Sequence, residues 1–178
     1  GGEGRARGNA AWGYGLHPGQ YGMLVLSKYP IEADQVRSFR LLRWSALPGA
    51  REPKLPDGRA FYPPVVWSQL RLSSKSHWDV PVNTPAGVVH FLVSHPTPPV
   101  FDGPENRNGL RNADEIRFWH EYISPGARPW LCDDQGTCGG LAGDARFVIA
   151  GDLNSDPNDG DSLHEAIVEL LEHPRVLR

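Results

Sequence analysis

Phe147-Val148-Ile149-Ala150-Gly151-Asp152-Leu153-Asn154-Ser155-Asp156-Pro157 is the stretch from which the fold is read. Its four leading apolar residues make a run of the length expected for a strand buried on both faces, and the glycine delivers Asp152 to that strand's carboxyl end. In extended chain alternate side chains share a face, so the Asp152 carboxylate and the Asn154 amide can look toward one common point. A hard divalent cation takes carboxylate oxygen, and an amide N–H suits a phosphoryl oxygen. An Asx-turn closing the strand uses the same residue types, and for an isolated Asp-x-Asn it is the commoner outcome. The rest of the chain decides between the two.

Working outward, Ser162 and Glu165 have the spacing of a capping box for a helix that carries Leu163, Ile167, Leu170 and Leu171. Upstream, Ala113, Ile116, Trp119 and Ile123 recur at helical spacing, which predicts an amphipathic helix over 112–123 stopped by Pro125-Gly126. His77 to Val82 and Val88 to Ser94 read as two strands joined through Asn83-Thr84-Pro85-Ala86-Gly87, a hairpin whose second strand runs into His95. Val65 to Leu72 has an alternating strand pattern, Val36 to Leu42 a weaker one, and Met23-Leu24-Val25-Leu26 reads as another strand buried on both faces. Residues 1–20 form a Gly-rich irregular arm, with a single domain over 21–178. Strands interspersed with helices predict a mixed sheet layered with helices, an α/β (α+β) class.

Composition sets the bounds. With 20 Gly and 17 Pro in 178 residues, much of the chain must be loop, which is where sites concentrate. No apolar run approaches the ~20 residues of a membrane span, so no membrane partner is expected. The formal net charge of −3, with no Lys/Arg run, argues against a long electrostatic footprint for nucleic acid. The only methionine is Met23, so the expectation is an internal or processed piece of a longer protein, with any export signal upstream. Cys132 and Cys138 could close a small disulfide loop in an oxidising compartment or remain two thiols; their surroundings offer too few ligands for zinc.

At Val93-Ser94-His95-Pro96-Thr97 a second apolar strand ends in a titratable group. His95 there could act as a general acid toward a leaving oxygen or, when charged, hold a phosphate; a structural role is the alternative. Lys75 and His77 enter the first strand of the hairpin, where they read as a solvated hairpin edge unless a phosphate site lies beside them. Arg107 and Arg111 either fork onto a phosphate at a helix start or pair with Glu105, Asp114 or Glu115. Tyr21 could line the cleft from the opposite side, and most of the six tryptophans are expected in the core. An acyl hydrolase using Ser94 is disfavoured, because no G-x-S-x-G elbow is present.

Taken in order, the segments 18–31, 72–82, 94–105 and 106–119 and the Gly151 to Pro157 motif resemble the endonuclease/exonuclease/phosphatase superfamily, the DNase-like fold, and within it the bacterial, often exported members. The resemblance covers the chain from about Gly13 onward. It implies a layered α/β sandwich, incomplete at both ends here, and hydrolysis of phosphoesters with Mg²⁺, or with Mn²⁺ or Ca²⁺ in its place. It also implies that Asp152 contacts metal or activates water, that Asn154 and His95 are catalytic and bind phosphate, and that Lys75, His77 and Arg111 sit near the phosphate. The pattern's remaining parts, an early Asn strand, a metal-binding Glu and a late Ser-Asp-His segment, would lie outside residues 1–178. The isolated chain is therefore expected to bind Mg²⁺ weakly and turn over poorly. The expected substrate is a small or organic phosphoester, the alternatives being a nuclease of the same superfamily or a catalytically silent binding domain that retains the fold, and the expected location is extracellular or periplasmic.

Overall fold

The computed structural model describes His17 and residues 19–177. The expected arm over residues 1–20 and Trp12 fall largely or wholly outside them. The elements are β1 (Arg37–Ser38), α1 (Pro64–Trp67), β2 (His77–Thr84), β3 (Gly87–Ser94), α2 (Arg107–Ile123), β4 (Arg146–Ala150) and α3 (His164–Leu171), with 3-10 turns at Ala33–Gln35 and Trp44–Ala46. The four strands form one sheet in the order β1-β2-β3-β4, antiparallel except for the parallel pair β3/β4. The crossover between that parallel pair contains α2, and α3 packs against α2. The molecule is thus the mixed α/β layering read from the sequence.

Side-chain alternation gives the sheet two different faces. Leu92 joins the larger core with Ile116, Phe118, Trp119 and Tyr122 of α2 and Leu170 of α3. His77 and Asp79 also turn toward α2, where Asp79 accepts hydrogen bonds from Tyr122 Oη at 2.5 Å and His90 Nδ1 at 2.7 Å. On the opposite face Val80, Val82 and Val93 form a smaller cluster with Met23, Val25 and Ile31. The hairpin ladder extends further than the sequence suggested, to Thr84↔Gly87, leaving only Pro85-Ala86 as the turn.

Several local expectations are corrected. Met23 to Leu26 lies outside the sheet ladders: Met23 and Val25 pack inward while Leu24 and Leu26 are 79% and 85% exposed. Its pattern is alternation, not burial on both faces. Val65 to Leu72 is not a strand, because Pro64 pre-sets the helical φ at the first position of α1, after which Leu70 and Leu72 drop into the core. In the Val36 to Leu42 segment only Arg37–Ser38 pairs, and Phe39 and Leu42 then bend inward. Among the described residues the strand before Gly151 is paired on one side only, and Val148 is half exposed rather than buried. The long helix begins at Arg107, five residues before the expected start at Asn112, because Asp102 Oδ2 accepts the first-turn amides of Asn108 (2.7 Å) and Gly109 (3.3 Å) from outside the helix. The Ser162/Glu165 capping box does not form: Leu163 is the N-cap of α3, and Ser162 Oγ accepts from Ser155 Oγ at 2.8 Å instead. Cys132 and Cys138 are joined as a disulfide.

Candidate functional site

The parallel register Val93↔Ala150 ends both strands at the same level, so Ser94-His95 and Gly151-Asp152 leave the sheet side by side. Gly151 makes this approach possible. Its φ is +139°, and a Cβ there would overlap the Ser94 carbonyl oxygen. Beyond it the Asp152 carboxylate divides its oxygens: Oδ1 accepts the Asn154 amide N–H at 3.0 Å, and Oδ2 lies 3.9 Å from His95 Nε2. The Asx-turn and the site are therefore one structure, with the turn aiming the carboxylate. Asn154 sits at φ +50° and donates Nδ2 to the Pro96 carbonyl at 3.1 Å, which ties the two loops together and commits one of its two amide N–H bonds.

Lys75 reaches the same edge, because β2 is antiparallel to β3 and begins where β3 ends, at His77↔Ser94. Burial holds the Lys75 ammonium below its ordinary range, opposed by the charges of Glu115 and Asp152. Burial likewise lowers the His95 imidazole, and Lys75 adds to the shift against the pull of Asp152. Burial and Lys75 both favour the uncharged imidazole. The His95 side chain is 22% exposed and that of Asp152 69%.

Two expected site residues lie elsewhere. His77 is buried on the α2 side of β2, with Nδ1 paired to Ser73 Oγ at 3.0 Å and Nε2 to the Glu115 carbonyl at 2.8 Å. Burial pushes it from 6.5 down to about 4. Arg111 is buried as well, its Nε donating to the Leu72 carbonyl at 2.8 Å and its Nη2 to that of Arg71 at 2.7 Å. Both faced a phosphate in the sequence reading; strand alternation turns His77 away from solvent, and Arg111 braces the chain ahead of β2. Arg107 pairs with Glu105, and Ser94 Oγ accepts from Trp119 Nε1 at 2.8 Å.

Tyr21 and Lys75 do share a cleft, of about 290 Å³, with Arg40, Ser74 and Trp78. Arg40 was not singled out by sequence: it lies in a turn after β1 with no motif around it. On the other side, Asp152 and Asn154 line a depression of about 380 Å³ with Asp156, Asp159 and Asp161. Lys75 thus belongs to a cationic, aromatic cleft and Asp152 to an acidic depression.

A family model described as Endonuclease/Exonuclease/phosphatase family matches residues 2–173. The chain belongs to that family. Comparisons with curated proteins and with solved structures returned no match. Endonuclease/exonuclease/phosphatase proteins are hydrolases of phosphoesters and generally use divalent metals, which agrees with a carboxylate, an imidazole and an ammonium gathered at one sheet edge. Among the described residues no group of three or more His, Cys, Asp or Glu side chains could hold a metal ion. Asp152 nevertheless fits Mg²⁺ in one respect: that ion keeps several waters and is commonly held by one or two carboxylates together with substrate phosphate.

Proposed function

We propose that this site hydrolyses phosphoesters of small organic molecules, with Asp152, His95 and Lys75 as its working groups. The observation that carries the reading is the placement of the Asp152 carboxylate 3.9 Å from His95 Nε2 at the shared end of β3 and β4, with Lys75 near enough to interact electrostatically with both side chains. Asp152 supplies a carboxylate ligand for a divalent cation, Mg²⁺ in the first instance, with Mn²⁺ or Ca²⁺ as substitutes. When bound, such a cation would polarise the phosphoryl oxygen and neutralise charge on it. Lys75 contributes a positive charge to the phosphate from the opposite side. The uncharged His95 imidazole offers a hydrogen bond or accepts a proton, and Asn154 keeps one amide N–H available beside it.

The cleft holding Tyr21, Trp78, Arg40 and Lys75 suits an ester group that is partly flat and partly anionic. A net charge of −3 favours such a small substrate over duplex nucleic acid. The Cys132–Cys138 disulfide supports an extracellular or periplasmic location.

A panel of phosphomonoesters, phosphodiesters and DNA, assayed with Mg²⁺, Mn²⁺ or Ca²⁺, tests the reading. Turnover of the small esters should exceed that of DNA. Asp152→Asn should lower kcat/KM by about 10²- to 10⁴-fold, the scale of acid–base and metal-orienting groups. Stability should scarcely change, since asparagine keeps an Oδ1 for the Asn154 amide. Unaltered turnover in the folded variant would remove Asp152 from the chemistry.

A further inference from the structure

Two buried polar side chains of α2 take no part in the site as described above, yet both reach it. Glu115 Oε1 accepts the backbone N–H of Ser74 at 3.1 Å and the Ser73 hydroxyl at 3.4 Å, while Oε2 accepts the backbone N–H of Thr97 at 2.6 Å. One turn earlier on the same helix face, Asn112 donates Nδ2 to the carbonyl of Thr97 at 2.9 Å, of Leu153 at 3.0 Å and of Asn154 at 3.4 Å. Ser74 adjoins Lys75, Thr97 follows His95 by two residues, and Leu153-Asn154 follows Asp152. All three chain segments that carry the site thus hang from two neighbouring side chains of one helix.

We infer that Asn112 and Glu115 are positioning residues that fix Lys75, His95 and Asp152 relative to one another. Their burial is costly: each is a polar group removed from water, and Asn112 Oδ1 has no hydrogen-bond partner. Apolar side chains would fill the same space without that cost but could not grip backbone amides and carbonyls of loops. Burial raises the Glu115 carboxyl against the opposing pull of Arg111 and of the Thr97 and Ser74 amides. The adjacent Asp114 supplies the contrast. It is equally buried on the same helix, but it holds Trp44 Nε1 and the Arg51 amide, both at 2.7 Å, in a loop that carries no site residue.

The kinetic consequence rests on the proposed phosphoesterase reading; the geometric one does not, and the test separates them. Glu115→Gln keeps the volume but only one acceptor oxygen, so it cannot serve both loops. Asn112→Ala removes the other grip, and Asp114→Asn is the comparison. Amide hydrogen exchange is followed by NMR at Ser74 and Thr97, and kcat and KM are measured with p-nitrophenyl phosphate and bis(p-nitrophenyl) phosphate in Mg²⁺. Glu115→Gln should speed exchange at one or both of those amides and lower kcat by about 10- to 100-fold, the scale of a displacement of ~1 Å, with a smaller change in KM. Asp114→Asn should lower Tm while leaving both amides protected and kcat within about twofold of the parent. Should Asn112→Ala fail to fold, Glu115→Gln decides alone. The inference is overturned if Glu115→Gln leaves both amides protected, or if Asp114→Asn loses as much kcat. If the parent turns over neither ester, the exchange result still decides the positioning role, and the phosphoesterase reading fails by itself.

Discussion

Asp152 meets its surroundings at two points, the Asn154 amide through Oδ1 and His95 through Oδ2, so its direction is set by the backbone before any ligand arrives. That setting depends on Gly151. Its φ of +139° is strained for any side chain, and a Cβ would meet the Ser94 carbonyl. Gly151→Ala should destabilise the protein by roughly 1–3 kcal/mol, the range of a strained backbone position, and should cost phosphoesterase activity as well, because relief of the overlap moves Asp152 away from His95. Urea unfolding and steady-state kinetics on the same preparation check both effects. That Asp152, Asn154 and His95 leave strand ends was legible in the sequence because each follows an apolar run, and a residue leaving the end of a strand can reach solvent whichever face the strand buries. His77 was not legible in the same way. One strand position decides whether an imidazole looks outward or toward Phe118 and Trp119, and nothing local to the hairpin says which face α2 will cover.

The hairpin and the two helices read from apolar spacing were correct in kind, while several of their ends were not. α2 follows from Ala113, Ile116, Trp119 and Ile123, all buried, but it starts at Arg107 because Asp102 caps it from a loop. Replacing Asp102 by Ala should therefore cost about 1 kcal/mol, the usual value of an N-terminal cap, read as a lower urea midpoint with unchanged slope. The capping box before α3 failed for a related reason: Ser162 pairs with Ser155 across the loop that joins β4 to α3, a contact set by how that loop folds back and not by helix-start spacing. Where proline decided the geometry, as at Pro64, the alternating pattern that followed was overruled by a fixed φ. The hairpin came through because its turn chemistry and its alternation agree, and Gly87 supplies the positive φ of +101° that closes it.

For the whole molecule, burial of histidine makes stability depend on pH. The folded state holds His77 at about 4, below the ordinary 6.5, so between these values the unfolded chain takes up a proton that the folded chain does not. Stability should be level in this term above pH 6.5 and fall as pH drops toward 4, by up to roughly 3 kcal/mol. His95 and His173, both lowered by burial, shift it in the same direction. Urea midpoints at pH 7 and pH 4.5 measure the fall, and His77→Gln should flatten it; an unchanged slope in that variant would assign the fall to other groups. By itself the sequence determined the layered α/β class, the central hairpin, the helix of Ile116 and Trp119 and the strand that ends at Gly151-Asp152, because these depend on period, turn chemistry and neighbours within a few residues. The tertiary structure decided which polar residues face the site and which support it. That choice depends on the face of each strand that α2 covers, and on where the Glu115 and Asn112 side chains find backbone partners some 15 to 42 positions away along the chain. Such partners are brought within hydrogen-bonding reach only by the packed fold.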